Sequence, residues 1–347
     1  MTTAAPPTQG AIDADVHVAP ADIAALAGHM DDYWRDYLVN AGMRLSPHLS
    51  GSYPQSGPAP PSDVDAVREQ VLDPWGLSHA VLTCLTAFDA SRNGYYEAAL
   101  CSAINDWLRA AWLERDDRLR AYLTIPTLDP DLAIQEVERV GGHDGFVGVL
   151  VPIRSETRWG NRRFHDLHQA IAAKGLVLAL HAWGRAGSAA TGSGFTHTYF
   201  EDYLGNSQIV AQAQLLSLVS EGVFERVPSL RVVLLEAGFA WLPPLLWRFD
   251  KDWKAIWREV PWVKDRPSEY VKRHVRAATA PAQLPADRGQ AAQLAEMLGA
   301  SDMLVFASDF PHEHGEGNLD VLLDALDDAG REAVLHGNAA ALYGLAG

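Results

Sequence analysis

Cysteine is nearly missing from this sequence: among 347 residues only Cys84 and Cys101 occur, and neither sits in a metal-type spacing. That excludes a thiolate metal site and leaves two buried free thiols of a reducing compartment as the expectation. Positive charge is scarce as well, with 28 Lys and Arg against 44 Asp and Glu, for a formal net charge of −16. Non-specific binding to nucleic acid needs clustered cations, so that class is excluded, and an anionic membrane surface is disfavoured on the same ground. A small anionic substrate stays compatible, because the charge lining a pocket can oppose the net charge. No apolar run approaches the roughly 20 residues needed to span a bilayer. Residues 1–10 carry Ala, Pro and Thr without a basic or an apolar region, which reads as a disordered tail rather than a signal peptide. A cytoplasmic protein is expected, and no internal repeat is visible.

What is present is an alternation of short apolar runs with helical stretches. Ile12–Val18, His79–Leu85, Ala121–Ile125, Phe146–Val151, Leu176–His181, Arg231–Glu236 and Met303–Ser308 read as strands, with His274–Ala280 as a weaker one, seventh in order. Most are apolar throughout, as parallel strands covered on both faces should be. Between them, Asp129-Pro130 supplies an N-cap and a first-turn proline. Leu100, Ile104, Leu108 and Ala111 recur at helical spacing, and so do Leu319, Leu322, Leu323 and Leu326. Repeated βα units of one hand close into a barrel or remain an open sheet. The composition, 48% hydrophobic and 21% charged, supports a barrel-sized core. The predicted fold is an α/β, (β/α)8 TIM-like barrel forming one domain over residues 1–347, with residues 28–67 as an insertion or lid after the first strand.

The chemistry gathers at strand ends. Asp15 and His17 close the first strand, His181 the fifth, Glu236 the sixth and Asp309 the eighth. In such a barrel those ends converge on one face. Asp15 and His17, two apart on an extended strand, point to the same side. An ionisable group ending an apolar strand is costly unless paired or metal-bound, and five of them predict a shared metal site. Imidazoles with carboxylates suit Zn, Mn or Fe in the divalent state, as one ion or as two bridged by a carboxylate. Trp183, His197, Tyr199, Phe310 and His312 fall in the stretches after strands five and eight and are the candidates for lining a substrate pocket. His165 and His168 read as surface or packing residues, and His143 as a turn residue. Arg248 reads as a partner for Asp250 or for a substrate carboxylate.

These residues resemble the amidohydrolase superfamily, and within it the amidohydrolase 2 branch. Its best-known members are decarboxylases of aminocarboxymuconate semialdehyde and of hydroxybenzoic acids. The resemblance rests on Asp13-Ala14-Asp15-Val16-His17, Leu180-His181-Ala182, Gly222 through Arg231, Glu236-Ala237-Gly238 with Trp241-Leu242-Pro243, Ser308-Asp309-Phe310-Pro311-His312 and Gly337-Asn338 with Leu342-Tyr343. It implies His17, His181 and Asp309 as metal ligands, with Asp15 in the place of the first histidine of a His-x-His pair. It implies for Asp309 the double role of ligand and proton shuttle. Relatives in the branch make a homodimer the expectation for assembly.

The departure from the branch is Glu236. The decarboxylases resemble one another in ending this strand with a histidine that assists proton chemistry, and the acid that follows shortly after in many of them is absent from Gly238-Phe239-Ala240-Trp241. On that ground the expectation is a metal-dependent hydrolase. In it, metal-activated water attacks an ester, thioester or amide carbonyl of a small molecule, with Asp309 and Glu236 as the catalytic acids and bases. The alternative is a non-oxidative decarboxylase of an aromatic or dienoic acid. A barrel that binds a ligand without turnover is the third reading, and the set of polar strand ends argues against it.

Overall fold

In the computed structural model, the described residues are 8–22, 24–40, 58–86, 93–184, 198, 200–201, 205–313 and 318–345. Eight parallel strands run in chain order around one sheet. They are β1 (Ile12–His17), β2 (His79–Thr83), β3 (Leu119–Thr124), β4 (Phe146–Arg154), β5 (Val177–Gly184), β6 (Arg231–Leu235), β7 (Val275–Ala278) and β8 (Leu304–Val305). Helices fill the intervals, and the whole is a nearly closed (β/α)8 barrel, as predicted. Among the described residues, no helix is long and apolar enough to cross a membrane.

Each strand is covered on both faces, and two clusters of buried side chains record this. Ile12, Ala14, Val81, Tyr122, Leu150, Val177, Ala179, Val233, Leu235 and Val305 pack together inside the barrel. Val16, Ala80, Leu82, Val149, Leu178, Leu180, Val232 and Leu234 alternate with them and pack against the helices. The helix Asn338–Tyr343 closes the amino-terminal end of the barrel. There the hydroxyls of Tyr343 and Tyr122 hydrogen bond at 2.6 Å, and Tyr122 also donates to the Ala14 carbonyl at 2.8 Å.

The helix starts follow local chemistry. The Asp129 carboxylate accepts from the amides of Asp131 and Leu132 and opens Pro130–Val140. Asn93 caps Gly94–Leu108 in the same way. These two helices and β3 share a buried polar knot. Asn105 donates to the Thr124 carbonyl (2.8 Å) and to Glu136 (2.7 Å), while accepting from the Thr124 amide (2.9 Å). Cys84 and Cys101 are free and buried. Of the tail, residues 1–7 lie outside the described residues; Thr8 is buried and donates to the Trp75 carbonyl at 2.8 Å, and the Gly10 amide donates to the Gly76 carbonyl at 2.8 Å. Of the insertion, residues 41–57 lie outside the described residues. Its helix Asp32–Asn40 sets Trp34 and Tyr37 against Tyr96.

Candidate metal centre

The carboxyl ends of β1, β5 and β8 meet. Asp15, His17, His181 and Asp309 are all buried, and each offers one ligand atom within 4.8 Å of the other three. His17 Nε2 stands 2.7 Å from Asp309 Oδ1 and 3.6 Å from Asp15 Oδ1. His181 Nε2 stands 3.2 Å from Asp15 Oδ2 and 3.3 Å from His17 Nε2.

Neighbouring groups orient these side chains. His181 Nδ1 donates to the Ala182 carbonyl at 2.6 Å, which turns Nε2 towards the cluster. Thr83, at the tip of β2, donates its hydroxyl to Asp15 Oδ1 at 2.5 Å. Backbone conformation contributes too. Among the described residues, Glu236 (φ 51) and Asp309 (φ 60) are the non-glycine residues in the left-handed region; Asp309 belongs to this cluster, and Glu236, next after β6, lies beside it. Left-handed backbone costs a non-glycine residue of order 1 kcal/mol or more and concentrates where side-chain aim matters.

The electrostatics are those of an ion site. Burial alone would push His181 down, but the carboxylates of Asp15, Glu236 and Asp309 overcome it and raise it to about 9. Burial dominates at His17 and lowers it, against the pull of Asp15 and Asp309. Two imidazole nitrogens facing each other at 3.3 Å, between two carboxylates, form a buried set of four electron-pair donors. A divalent cation fits that donor set, and the mixture of nitrogen and oxygen without thiolate suits Zn, Mn or Fe.

The other expected residues fall around this group in different ways. Glu236 is buried but lies beside the four rather than among them: its Oε2 is 3.9 Å from His181 Nδ1, the ring nitrogen turned away from the cluster. His312 sits at the mouth with its ring 4.6 Å from that of His17, and its Nδ1 is 3.3 Å from Asp309 Oδ2. Phe310 is half-buried, edge-on to Trp75 at 6.4 Å, and its carbonyl accepts from the His17 amide. Trp183 falls within β5 with its side chain outside the described residues, and His197 and Tyr199 lie outside them altogether.

His168 is a packing residue, fully buried, and His143 caps its own turn by accepting from the Gly145 amide. Arg248 does not pair with Asp250. It reaches one helical turn forward to Asp252 at 3.1 Å, while Asp250 accepts from Ser268. Sequence reasoning missed Thr83 and Asp13. A threonine ending an apolar strand was the available sign of the first. Asp13 is buried, and burial pushes its carboxyl up to about 7.

The gamma-resorcylate decarboxylase of Polaromonas sp. strain JS666 is 24% identical over 304 residues, covering 82% of this chain and 88% of that protein. Among solved structures, a 2,6-dihydroxybenzoate decarboxylase from Rhizobium superposes with a TM-score of 0.69 at 20% identity, over 98% of this chain and 100% of that one. A dihydroxybenzoic acid decarboxylase from Polaromonas sp. JS666, solved with manganese and 2-nitroresorcinol, gives 0.67 at 19% identity, over 97% of each chain. These relatives overturn the expectation of a hydrolase, thioesterase activity included. That expectation leaned on one residue, Glu236, and the residue is outside the four-ligand group on which either chemistry would depend. A carboxylic acid carries a proton as an imidazole does, so the exchange at this strand tip does not select hydrolysis. The sequence profile of the amidohydrolase 2 family, described as amidohydrolase, matches residues 12–345, and the chain belongs to that family.

Proposed function

We propose that the protein is a metal-dependent, non-oxidative decarboxylase of a hydroxylated aromatic acid. The observation that carries the reading is the buried cluster of Asp15, His17, His181 and Asp309, set in a chain whose relatives are decarboxylases of such acids. Those four residues would hold a divalent ion, which would supply positive charge for the anionic oxygens of the substrate at the barrel mouth.

The residues of the chain then have to move one proton. Loss of CO₂ from an aryl carboxylate breaks the bond between ring and carboxyl carbon, and the ring carbon takes a hydrogen in exchange. Protonation at that carbon comes first. The electron pair of the breaking bond then returns to the ring as CO₂ departs. Glu236 suits the donor role, because it is buried, stands at the tip of β6 and does not belong to the ligand group. Protonated, it delivers the hydrogen to the ring carbon and recovers it from solvent after product leaves. Asp309 and His312, joined at 3.3 Å, offer a path between the cluster and the mouth. His312 and Phe310 would line the substrate's approach, with Trp183, His197 and Tyr199 as further candidates. For assembly we propose a homodimer, supported by Trp247, Trp257 and Trp262, which face solvent on and after the helix Leu242–Ile256. Size-exclusion chromatography with light scattering tests it.

A panel of hydroxybenzoic and carboxylated phenolic acids, offered to Mn²⁺-loaded protein with detection of CO₂, tests the catalytic reading. Turnover of at least one member is expected, with one deuterium at the vacated ring carbon when the reaction runs in D₂O. Inertness to the whole panel, alongside cleavage of acyl esters or thioesters, would overturn it.

A further inference from the structure

Asp13 stands two residues before the first ligand, on a strand whose alternation changes hand between them. In β1, Ile12 and Asp13 pair with His79 and Ala80 of β2, whereas Val16 and His17 pair with Leu82 and Thr83. Ala14 and Asp15 together therefore stand opposite Val81 alone, which is a β-bulge. The consequence is a matter of parity. Ile12 and Ala14 belong to the interior cluster. Strict alternation from them would send Val16 inward as well, and would turn Asp15 and His17 out against the helices. With the extra residue, Val16 packs in the outer layer instead, and Asp15 and His17 join His181 and Asp309. The bulge is what aims half of the ligand set.

Asp13 holds that bulge. Its Oδ1 accepts the Asp15 amide at 3.1 Å, across the bulge itself, and the Ser308 amide at 3.0 Å, across to the residue before Asp309. The second bond crosses the seam where the barrel closes. Between β1 and the end of β8 there is an isolated bridge from Val16 to Phe310 in place of a ladder. Its backbone hydrogen bonds are Ala14 to Phe306 (2.9 Å), Asp309 to Asp15 (3.1 Å) and His17 to Phe310 (2.8 Å). Three of the four ligands sit on the two sides of this seam. One carboxylate oxygen thus ties the backbone of Asp15 to the backbone beside Asp309, in a position with no exposure to solvent.

We infer that Asp13 is a positioning residue of the metal centre: it locks the β1 bulge and sets the spacing between the ligands of the first and last strands. The inference rests on the metal centre and is independent of the decarboxylase reading, because its test measures metal binding and not turnover. Asp13→Ala and Asp13→Asn are compared with the unaltered protein by titration with Mn²⁺ and by electron paramagnetic resonance of the bound ion. Asp13→Ala is expected to weaken binding about 10–100-fold and to broaden the spectrum of what remains bound. Asp13→Asn keeps the accepting oxygen and is expected to stay within about tenfold of the unaltered protein, with its spectrum preserved. Melting of the ion-free proteins separates aim from general stability. Asp13→Ala binding Mn²⁺ as tightly as the unaltered protein overturns the inference. So does Asp13→Asn losing affinity equally with Asp13→Ala. If Asp13→Ala does not fold, Asp13→Ser takes its place, since its short hydroxyl cannot span both amides, and the same ranking against Asp13→Asn decides. Failure of the unaltered protein to take up Mn²⁺ would overturn the metal centre together with the role of Asp13.

Discussion

His181 donates its Nδ1 hydrogen to the carbonyl of Ala182 at 2.6 Å, and this bond selects which ring nitrogen faces Asp15. Once Nε2 yields its hydrogen to an ion, this bond keeps the remaining one on Nδ1, so the strand itself sets the tautomer. Replacing His181 by Ala removes one ligand of four, and Asp309→Asn removes the negative charge of another. Each is expected to lower Mn²⁺ affinity by about 100-fold or more, read by metal analysis of dialysed protein. Retention of stoichiometric metal by either variant would count against the site.

Glu236→Gln separates proton delivery from metal binding. The residue lies outside the group of four, so metal content is expected to stay that of the unaltered protein. The amide has no proton to give, and CO₂ release is expected to fall by about 10²–10⁴-fold in kcat. Parallel loss of metal would place Glu236 among the ligands instead.

Removal of the ion is expected to loosen the barrel as well as to abolish turnover. The cluster joins β1 to the end of β8, where backbone pairing is sparse. A ligand that binds only the folded state stabilises it by about 2.7 kcal/mol at a hundred times its dissociation constant. Melting with chelator, then with Mn²⁺ restored, measures the shift; unchanged melting would mean that the four side chains hold no ion.

His168 gives the fold an acid-sensitive element away from the site. It is fully buried, and desolvation lowers its imidazole to about 3 from an ordinary 6.5. Above the ordinary value neither state is charged there, so pH has no effect through this residue. Between the two values the unfolded chain binds the extra proton, and stability falls as pH falls, by up to about 1.4 kcal/mol per unit. His168→Leu is therefore expected to lose less melting temperature than the unaltered protein between about pH 7 and about pH 5. Identical pH profiles would refute the assignment.

Asn105→Ala is expected to cost about 2–3 kcal/mol, measured by denaturant unfolding, because it strips partners from the buried Glu136 and from both backbone groups of Thr124. Metal binding is expected to be unaffected.

The barrel was legible because parallel strands covered on both faces are written as apolar runs. β7 was the faint one, with Arg276 interrupting a run of four residues. The ligands were legible because a polar residue closing such a run is conspicuous: His181 after Leu180 and Asp309 after Ser308 needed no knowledge of each other. The side of β1 on which Asp15 and His17 lie was not legible. It depends on one extra residue in the register against β2, and on a contact from Asp13 to Ser308 across 295 positions. Glu236 misled because a residue type at one strand tip was taken to decide the reaction, when the neighbouring geometry decides what a carboxyl group there does.

His17 and Asp309 are 292 positions apart and touch. During synthesis, the ribosome releases one half of the cluster near the start of translation and the other near its end. A chain stopped before Asp309 emerges cannot complete its ligand set, however well its earlier strands have paired. Loading with metal therefore reports that the polypeptide has been made through to its eighth strand.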